Sequence, residues 1–412
     1  MTEVGAAADL ARRIHPELVS LRRALHAHPE LGLDLPRTQR AVLDALEGLD
    51  IEITRGEGLS SVVGIIRGRA PLRAGEQRPV VLLRGDMDAL PVIEEVEVPY
   101  AATNGLMHAC GHDLHVAALV GAARILVECA DELGSDVVLM FQPGEEGPGG
   151  AKPMIEQGLL DIAGRRVDAA YALHVVSAQY PRGVWFSRPG TLMASADAVT
   201  VRVIGAGGHG SAPHRSRDPI PAACEMVLAL QTRVTRALDI FDPVVVTVGR
   251  FEAGTKENII PDVAEFAATV RAFSPEARAR VETEIRRSVE GIAAAHGLGV
   301  EIDYAQGYPV TVNDAAEYEF TRDTIIDLFG TERYELFPEP EAGAEDMSFV
   351  LDEVPGCYVF ISACVSDDPA SAPDNHSPRA AFDDAVLGDS ALLLAELALR
   401  RYAPPVGLEP TT

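Results

Sequence analysis

Basic residues are scarce in this sequence, and their shortage limits the partners that the protein can have. There are 35 Lys and Arg against 62 Asp and Glu in 412 residues, which gives a formal net charge of −27. A protein that binds nucleic acid or an anionic membrane surface usually carries a basic patch. The charge balance therefore argues against both partners and is typical of a soluble cytoplasmic protein.

Cysteines are also few, and long apolar runs are missing. The five cysteines are an odd number without CxxC spacing, which argues against a disulfide framework and favours a reducing compartment. No apolar run approaches the ~20 residues that cross a bilayer. The first ten residues lack the basic segment and apolar core of a secretory signal. We therefore expect a cytoplasmic protein that does not bind membranes.

Several common active-site motifs are absent. The sequence contains no GxxxxGK[ST], no HExxH and no GxSxG, which excludes the usual phosphate-loop, zincin and serine-hydrolase readings. The segment GAGGHG at 205–210 formally matches GxGxxG. However, Pro213, Pro219 and Pro221 delay the following helix, and the region near Leu230 is not acidic, so a dinucleotide site is rejected.

Short apolar runs alternate with helical patterns in the first half of the chain. The runs are typical of buried strands and are found at Val62–Arg67, Val80–Leu83, Asp136–Phe141 and Asp168–His174. The pattern predicts an α/β fold whose catalytic domain has a mostly parallel sheet with helices on both faces.

The pattern changes near Ser195. Val199, Val201 and Val203 alternate with polar residues, and the predicted order from there to about 307 is β-α-β-β-α-β. This predicts an inserted ferredoxin-like α+β domain at 195–307 within a discontinuous domain formed by 1–194 and 308–412. The last ten or so residues are expected to be a loose tail.

Potential metal ligands follow several of the predicted strands. The segment HACGHDLH at 108–115 is read together with GEEG at 144–147, ALHV at 172–175 and a distant NHSP at 375–378. The candidate ligands are Cys110, His112, Glu146, His174 and His376. Thiolate, imidazole and carboxylate together suit a transition metal better than Mg or Ca. The alternative is a set of unrelated turn residues.

The two adjacent glutamates, Glu145 and Glu146, are expected to have different roles. In a site with two metals, Cys110 as a thiolate would lie between the cations, and a bound carboxylate cannot easily accept a proton. One of Glu145 and Glu146 would then be a ligand and the other a general base, and the spacing does not say which. His26 and His28 lie at a helix end, where capping is the favoured interpretation.

Seven motifs in order resemble the M20 metallopeptidase family, from His26 to about Pro378. They are HACGHDLH, FQPGEEG, ALHV, GGHGSAPH, ENIIPD, GAEDMSFV and NHSP. The resemblance is to the amidohydrolase branch, which includes aminoacylase, hippurate hydrolase and auxin-conjugate hydrolase. Related peptidases have a histidine where this chain has Asp86 and an aspartate bridge where it has Cys110. Both differences direct the expected substrate towards N-acyl amino acids.

The resemblance also implies roles for individual residues. Glu145 matches the general base, and the five candidate ligands match those of two metals. Asp88 and Asp113 become candidates for orienting the ligands. In the inserted lid or dimerisation domain, His209 matches a histidine that reaches a neighbouring active site and polarises the scissile carbonyl.

Two further residues of the inserted domain match substrate contacts in the family. Asn258 and Arg271 match groups that hold the carboxylate or carbonyl of the substrate. By themselves, His209 and Asn258 would be read as turn residues and Arg271 as a solvent-facing arginine. No role is predicted for His108, His115 or His214.

The sequence thus predicts a hydrolase that cleaves N-acyl amino acids with two divalent metal ions per subunit. Mn or Zn is favoured, with Co or Ni as further candidates, and a homodimer through the lid domain is expected. The alternatives are a dipeptidase or carboxypeptidase of the same family, and a non-catalytic metal-binding regulator.

Overall fold

The computed structural model describes residues 4–72 and 75–403, which fall into two compact units. The first unit runs to Gly190 and includes Val312–Pro338 and the chain from Phe349 onward. The second comprises Thr191–Thr311 and Glu339–Ser348, a short segment outside the predicted insertion. The predicted domain boundaries at 195 and 307 stay a prediction, and the predicted tail lies outside the described residues.

Helices and strands alternate along most of the described chain. The helices are α1 (Val4–His26), α2 (Pro36–Leu46), α3 (His112–Glu128), α4 (Ala151–Glu156), α5 (Pro219–Ala237), α6 (Pro275–Ala295), α7 (Ala315–Phe329), α8 (Ser348–Leu351) and α9 (Leu387–Arg401). The strands are β1 (Glu52–Arg55), β2 (Val62–Ile66), β3 (Val80–Asp86), β4 (Asp136–Gln142), β5 (Ala169–Val176), β6 (Trp185–Ser187), β7 (Gly190–Met193), β8 (Ala196–Ile204), β9 (Gly208–His209), β10 (Val244–Ala253), β11 (Ile259–Ile260), β12 (Val263–Ala272), β13 (Gly299–Tyr308), β14 (Thr311–Asn313), β15 (Tyr334–Leu336) and β16 (Gly356–Ser362). Of these described helices, none is both long enough and apolar enough to cross a membrane.

The first unit is built on an eight-stranded mixed sheet in the order β1-β2-β4-β3-β5-β16-β6-β15. Its central strands β4, β3, β5 and β16 are parallel, whereas the β1–β2, β2–β4 and β16–β6 pairs are antiparallel. The central strands are almost continuously apolar and buried, as expected for strands covered on both faces. This confirms the predicted α/β class.

Helix α3 lies in the centre of the apolar core of this unit. Most of its residues are buried, and it packs against α1 and α9. A helix that is apolar nearly all round belongs in a core rather than at a surface. The sequence predicted its start at His115, but it begins one turn earlier, at His112, directly after Gly111.

Only a glycine fits at position 111, because of both its backbone conformation and the close packing around it. It has φ 81°, in the left-handed region, and a Cβ at this position would lie 2.3 Å from Val175 Cγ2 on β5. A side chain is therefore disfavoured twice, by conformation and by collision. The close approach brings the start of α3 against the end of β5.

The second unit contains a four-stranded antiparallel sheet in the order β10-β12-β8-β13. Its main elements follow the chain as β8-α5-β10-β12-α6-β13, the predicted β-α-β-β-α-β order. Apolar side chains of β8 and β12 alternate inward and pack against both helices.

Candidate metal centre

The carboxyl ends of three parallel strands bring the acidic and imidazole residues together. Asp86 ends β3 opposite Gln142 of β4, and Arg84 pairs with Ala172, which puts Asp86 level with His174 of β5. The Glu145–Glu146 turn follows β4. In open α/β sheets, functional side chains gather at this edge.

Cys110 lies at the centre of the candidate ligands. Its Sγ is 3.4 Å from His174 Nε2 and 3.3 Å from His376 Nε2. His376 Nε2 is in turn 3.2 Å from Glu146 Oε1. The donor atoms form two overlapping groups that share the thiol, Cys110–His112–His174 and Cys110–Glu146–His376. All five predicted ligands are thus brought together.

Backbone hydrogen bonds help to place two of the candidate histidines. His174 Nδ1 lies 2.7 Å from the carbonyl oxygen of Val175, so Nδ1 carries a proton and Nε2 is the nitrogen that faces Cys110. Metal-bound histidines commonly have this arrangement. His376 has φ 69°, which is rare for a residue with a side chain, and its backbone N–H donates to Ala109 O at 2.8 Å.

Asp88 holds the loop that carries the two glutamates. Its two carboxylate oxygens accept the backbone N–H groups of Glu145 and Glu146, each at 3.0 Å. Its Oδ1 also lies 3.5 Å from His112 Nδ1. Asp88 therefore contacts both the glutamate turn and a candidate ligand, and its orienting role stays a prediction.

Charge is concentrated around the thiol. Burial alone would raise the pKa of Cys110, but His174 and the neighbouring imidazoles outweigh it and hold that pKa well below its usual range. Burial and the negative charge of Cys110 raise the pKa of Glu146. Anionic sulfur and carboxylate side by side are destabilised unless a cation lies between them.

The residues present fit a divalent metal. His112 is buried, and within the described chain neither ring nitrogen makes a well-formed hydrogen bond, with carboxylate oxygens at 3.5 Å from each. A buried imidazole without hydrogen bonds is costly in a core but normal for a ligand. Thiolate, imidazole and carboxylate donors match the preferences of transition metals.

Asp113 faces away from the candidate ligands and towards α1. Its Oδ2 lies 2.8 Å from Arg22 Nε and 2.8 Å from His26 Nδ1, and His26 Nε2 lies 2.9 Å from Glu94. His26 is therefore buried between two carboxylates and does not have the helix-capping role that was expected. The nearby His108 is also buried, and burial lowers its pKa to about 3.

Sequence reasoning missed a second buried group beside the ligands, formed by Arg84, Asp86 and His115. Both oxygens of Asp86 are engaged, and all three side chains are almost fully buried. One feature of the sequence indicates that His115 lies near the ligands. It follows His112 by three residues, so both side chains lie on the same face of α3.

Three predicted site residues lie in the second unit. His209 on β9 pairs with Ile259 of β11, and Gly210 N–H donates to Asn258 O at 2.9 Å, so His209 and Asn258 are neighbours. The Ser211 backbone N–H donates to His209 Nδ1 at 3.1 Å, which leaves the ring proton on Nε2. Arg271 lies on β12, where it pairs with Val245 of β10.

The chain matches known proteins over most of its length. Residues 82–400 match the model of the peptidase family M20/M25/M40. The chain belongs to this family. It is 38% identical to thermostable carboxypeptidase 2 of Saccharolobus solfataricus over 94% of this chain and 96% of that protein. It is 34% identical to hippurate hydrolase of Campylobacter jejuni, over 93% and 96% respectively.

A solved structure of the M20 family has the same fold. The YXEP protein of Bacillus subtilis, described as a dinuclear metal-binding peptidase, superposes with a TM-score of 0.80 at 32% identity. The match covers 95% of this chain and 99% of the other. Membership confirms that this M20 protein is a hydrolase acting on amide bonds.

Proposed function

We propose that this M20 protein hydrolyses the amide bond of N-acyl amino acids at a centre of two divalent cations. The ligands would be Cys110, His112, Glu146, His174 and His376. The observation that carries the proposal is the position of Cys110, whose sulfur belongs to two groups of donor atoms. The description of the B. subtilis structure as dinuclear supports the same number of cations here.

Mn or Zn is the proposed metal, with Co or Ni as further candidates, because the donor set mixes soft sulfur with imidazole and carboxylate. A pair of bound cations would lower the pKa of a water molecule and offset negative charge on the scissile carbonyl oxygen. Glu146 belongs to the group with Cys110 and His376, which favours it as the ligand of the two glutamates.

Glu145 is the proposed general base. It lies beside Glu146 and His112, is buried, and is held through its backbone by Asp88. Its carboxylate would accept a proton from the attacking water and return it to the departing amine. His209 carries its proton on Nε2, so it could donate a hydrogen bond to the carbonyl oxygen of a substrate.

The substrate class follows from what two differently named relatives have in common. Hippurate is N-benzoylglycine, and a carboxypeptidase releases a C-terminal amino acid. In both reactions the departing amine belongs to an amino acid with a free carboxylate. Asn258 and Arg271 are proposed to bind that carboxylate or the neighbouring carbonyl. A carboxypeptidase is the second candidate, because that relative is 38% identical.

A substrate panel separates the two candidates. After chelation and reloading with Mn, Zn or Co, kcat/KM is measured for N-acetyl and N-benzoyl amino acids, N-blocked dipeptides and free dipeptides. The proposal expects the simple acyl amino acids to be preferred. Preference for blocked peptides would favour a carboxypeptidase, preference for free dipeptides a dipeptidase. No chelator-reversible hydrolysis of any of them would favour a non-catalytic metal-binding regulator.

The assembly and location are proposed with the same function. The second unit is proposed to act as a lid and to join two subunits into a homodimer. Its sheet has an exposed edge strand, β10, which supports an interface. A cytoplasmic location is proposed because the five cysteines form no disulfide among the described residues.

A further inference from the structure

A buried polar chain lies beneath the candidate metal centre. Arg84 donates from Nη1 to Asp86 Oδ2 at 2.6 Å and from Nε to Gln142 Oε1 at 2.9 Å. The other oxygen of Asp86 lies 2.5 Å from His115 Nδ1. All four side chains are at most 1% exposed. Since buried polar groups must be paired, this arrangement fixes each member.

The tautomer of His115 follows from its second contact. The backbone N–H of Val175 donates to His115 Nε2 at 2.9 Å, so Nε2 is an acceptor and Nδ1 carries the proton given to Asp86. Both ring nitrogens are therefore in use. The grouping of Asp86, His112 and His115 looks like a metal site by distance, but His115 has no lone pair left for a cation.

His115 replaces a missing strand partner at the end of β5. The β3–β5 ladder stops at the pair Arg84–Ala172, three residues before Val175. An unpaired backbone N–H in a core is costly, and the His115 side chain supplies the acceptor that β3 no longer offers. The peptide unit fixed in this way is the one that joins His174 to Val175.

Val175 also orients the candidate metal ligand His174. Its carbonyl oxygen lies 2.7 Å from His174 Nδ1 and accepts from Asn375 Nδ2 at 3.0 Å. If the Val175 backbone moved, the hydrogen bond that holds the His174 ring would change with it. His115 is thus connected to His174 through one residue of backbone.

We propose that His115, held by Asp86 and Arg84, is a positioning residue that aims His174 at the metal centre, and that Asp86 is not a metal ligand. Each oxygen of Asp86 already accepts a charged or imidazole donor, so this carboxylate holds Arg84 and His115 in place. This inference rests on the proposed metal-dependent function, and it assigns the buried chain to ligand orientation.

Cation titration of three variants tests the proposal. Metal-free protein is titrated with Co²⁺, and both the stoichiometry and the thiolate-to-cobalt absorption band are recorded. For His115→Ala we expect the affinity for one of the two cations to fall about 10–100-fold, the usual effect of losing an outer partner. The other cation, held by the Glu146–His376 group, keeps its affinity. In His115→Gln the side-chain amide oxygen can still accept a hydrogen bond from the Val175 N–H. The cation affinity of this variant should therefore lie between those of the wild type and His115→Ala.

Asp86→Asn distinguishes a positioning residue from a ligand. We expect two cations per chain, with a weaker affinity for one of them. The matched control is Tyr171→Phe, which removes a buried hydrogen bond from the same strand to Glu317 and should leave both affinities unchanged. One cation per chain in Asp86→Asn, or equal affinities in wild type and His115→Ala, would overturn the proposal.

A metal-free measurement separates this inference from the proposed function. With ¹⁵N-labelled histidine, NMR should show His115 as the Nδ1–H tautomer and a hydrogen-bonded Nδ1–H on His174 in the wild type, and the loss of that His174 Nδ1 hydrogen bond in His115→Ala. If the wild type binds fewer than two cations, the proposed function fails, and this readout alone decides on His115. An unchanged His174 Nδ1 hydrogen bond in His115→Ala would refute the positioning role.

Discussion

Glu145 and Glu146 are neighbours in sequence but differ in surroundings. Substitution of Glu145 should therefore reduce turnover, and substitution of Glu146 should reduce cation binding. Glu145→Gln should retain two cations while kcat falls by about 10²–10⁴-fold, because the proton acceptor is removed. Glu146→Gln should instead weaken cation binding, since this carboxylate lies 3.2 Å from His376 Nε2. Metal analysis and steady-state kinetics on both variants measure the two effects. Retained turnover in Glu145→Gln would contradict the base assignment.

His26 gives a prediction about pH. Burial lowers its pKa, but Asp113 and Glu94 outweigh burial and raise it to about 9, above the ~6.5 of an unfolded chain. The charged ring therefore stabilises the fold fully below about pH 6.5, and this contribution of about 3 kcal/mol is lost as pH rises through 9.

Urea unfolding of the metal-free protein at pH 6, 7.5 and 9 checks this. The wild type should lose stability between pH 6 and 9 relative to His26→Gln, in which position 26 does not titrate. Parallel pH profiles for the two proteins would show that His26 is not charged in the folded state.

The metal ligands could be proposed from sequence because each follows a recognisable strand or turn. The partners of Asp113 and His26 could not. Their contact joins residues 87 positions apart, and helical geometry turns Asp113 about 100° from its neighbour His112. Similarly, nothing local indicates that His115 contacts the backbone of Val175.

At the scale of elements, the junction between α3 and β5 depends on one glycine. Gly111→Ala would combine a left-handed backbone with a Cβ 2.3 Å from Val175 Cγ2, and should cost about 3 kcal/mol or more in free energy of unfolding. Gly158 has φ 89° but open space around it, so Gly158→Ala should cost only about 1 kcal/mol. Urea unfolding measures both.

Both glycines have positive φ, so both variants carry the cost of a left-handed backbone. The difference between Gly111→Ala and Gly158→Ala therefore measures the cost of the steric clash at position 111. Equal losses for the two variants would mean that the close approach of α3 and β5 does not contribute. A larger loss in Gly111→Ala should be accompanied by weaker cation binding, since Cys110 and His112 flank this glycine.

The order of the long helices and strands could largely be predicted from the sequence, whereas the short strands could not. Buried runs such as Val80–Leu83 identify central parallel strands, and alternation identifies β8. The short strands β6 and β15 carry too few residues to show a period. Helix α3 begins at His112 because Gly111 provides the left-handed turn there, and the apolar pattern becomes continuous only after His115.

At the scale of the molecule, the chain divides into two compact units whose sequence patterns differ. The change from continuous apolar strands to alternating ones predicts an inserted segment. The inclusion of Glu339–Ser348 in the second unit could not be predicted, because this segment has no periodic pattern and joins the unit through pairings such as Ala194 N–H to Glu341 O.

The central claim is that two cations share Cys110, and anomalous diffraction from crystals loaded with Mn²⁺ tests it most directly. The account predicts two anomalous peaks per chain, one beside Cys110, His112 and His174 and the other beside Cys110, Glu146 and His376. In Cys110→Ser crystals both peaks should weaken. A single peak, or peaks away from Cys110, would contradict the account.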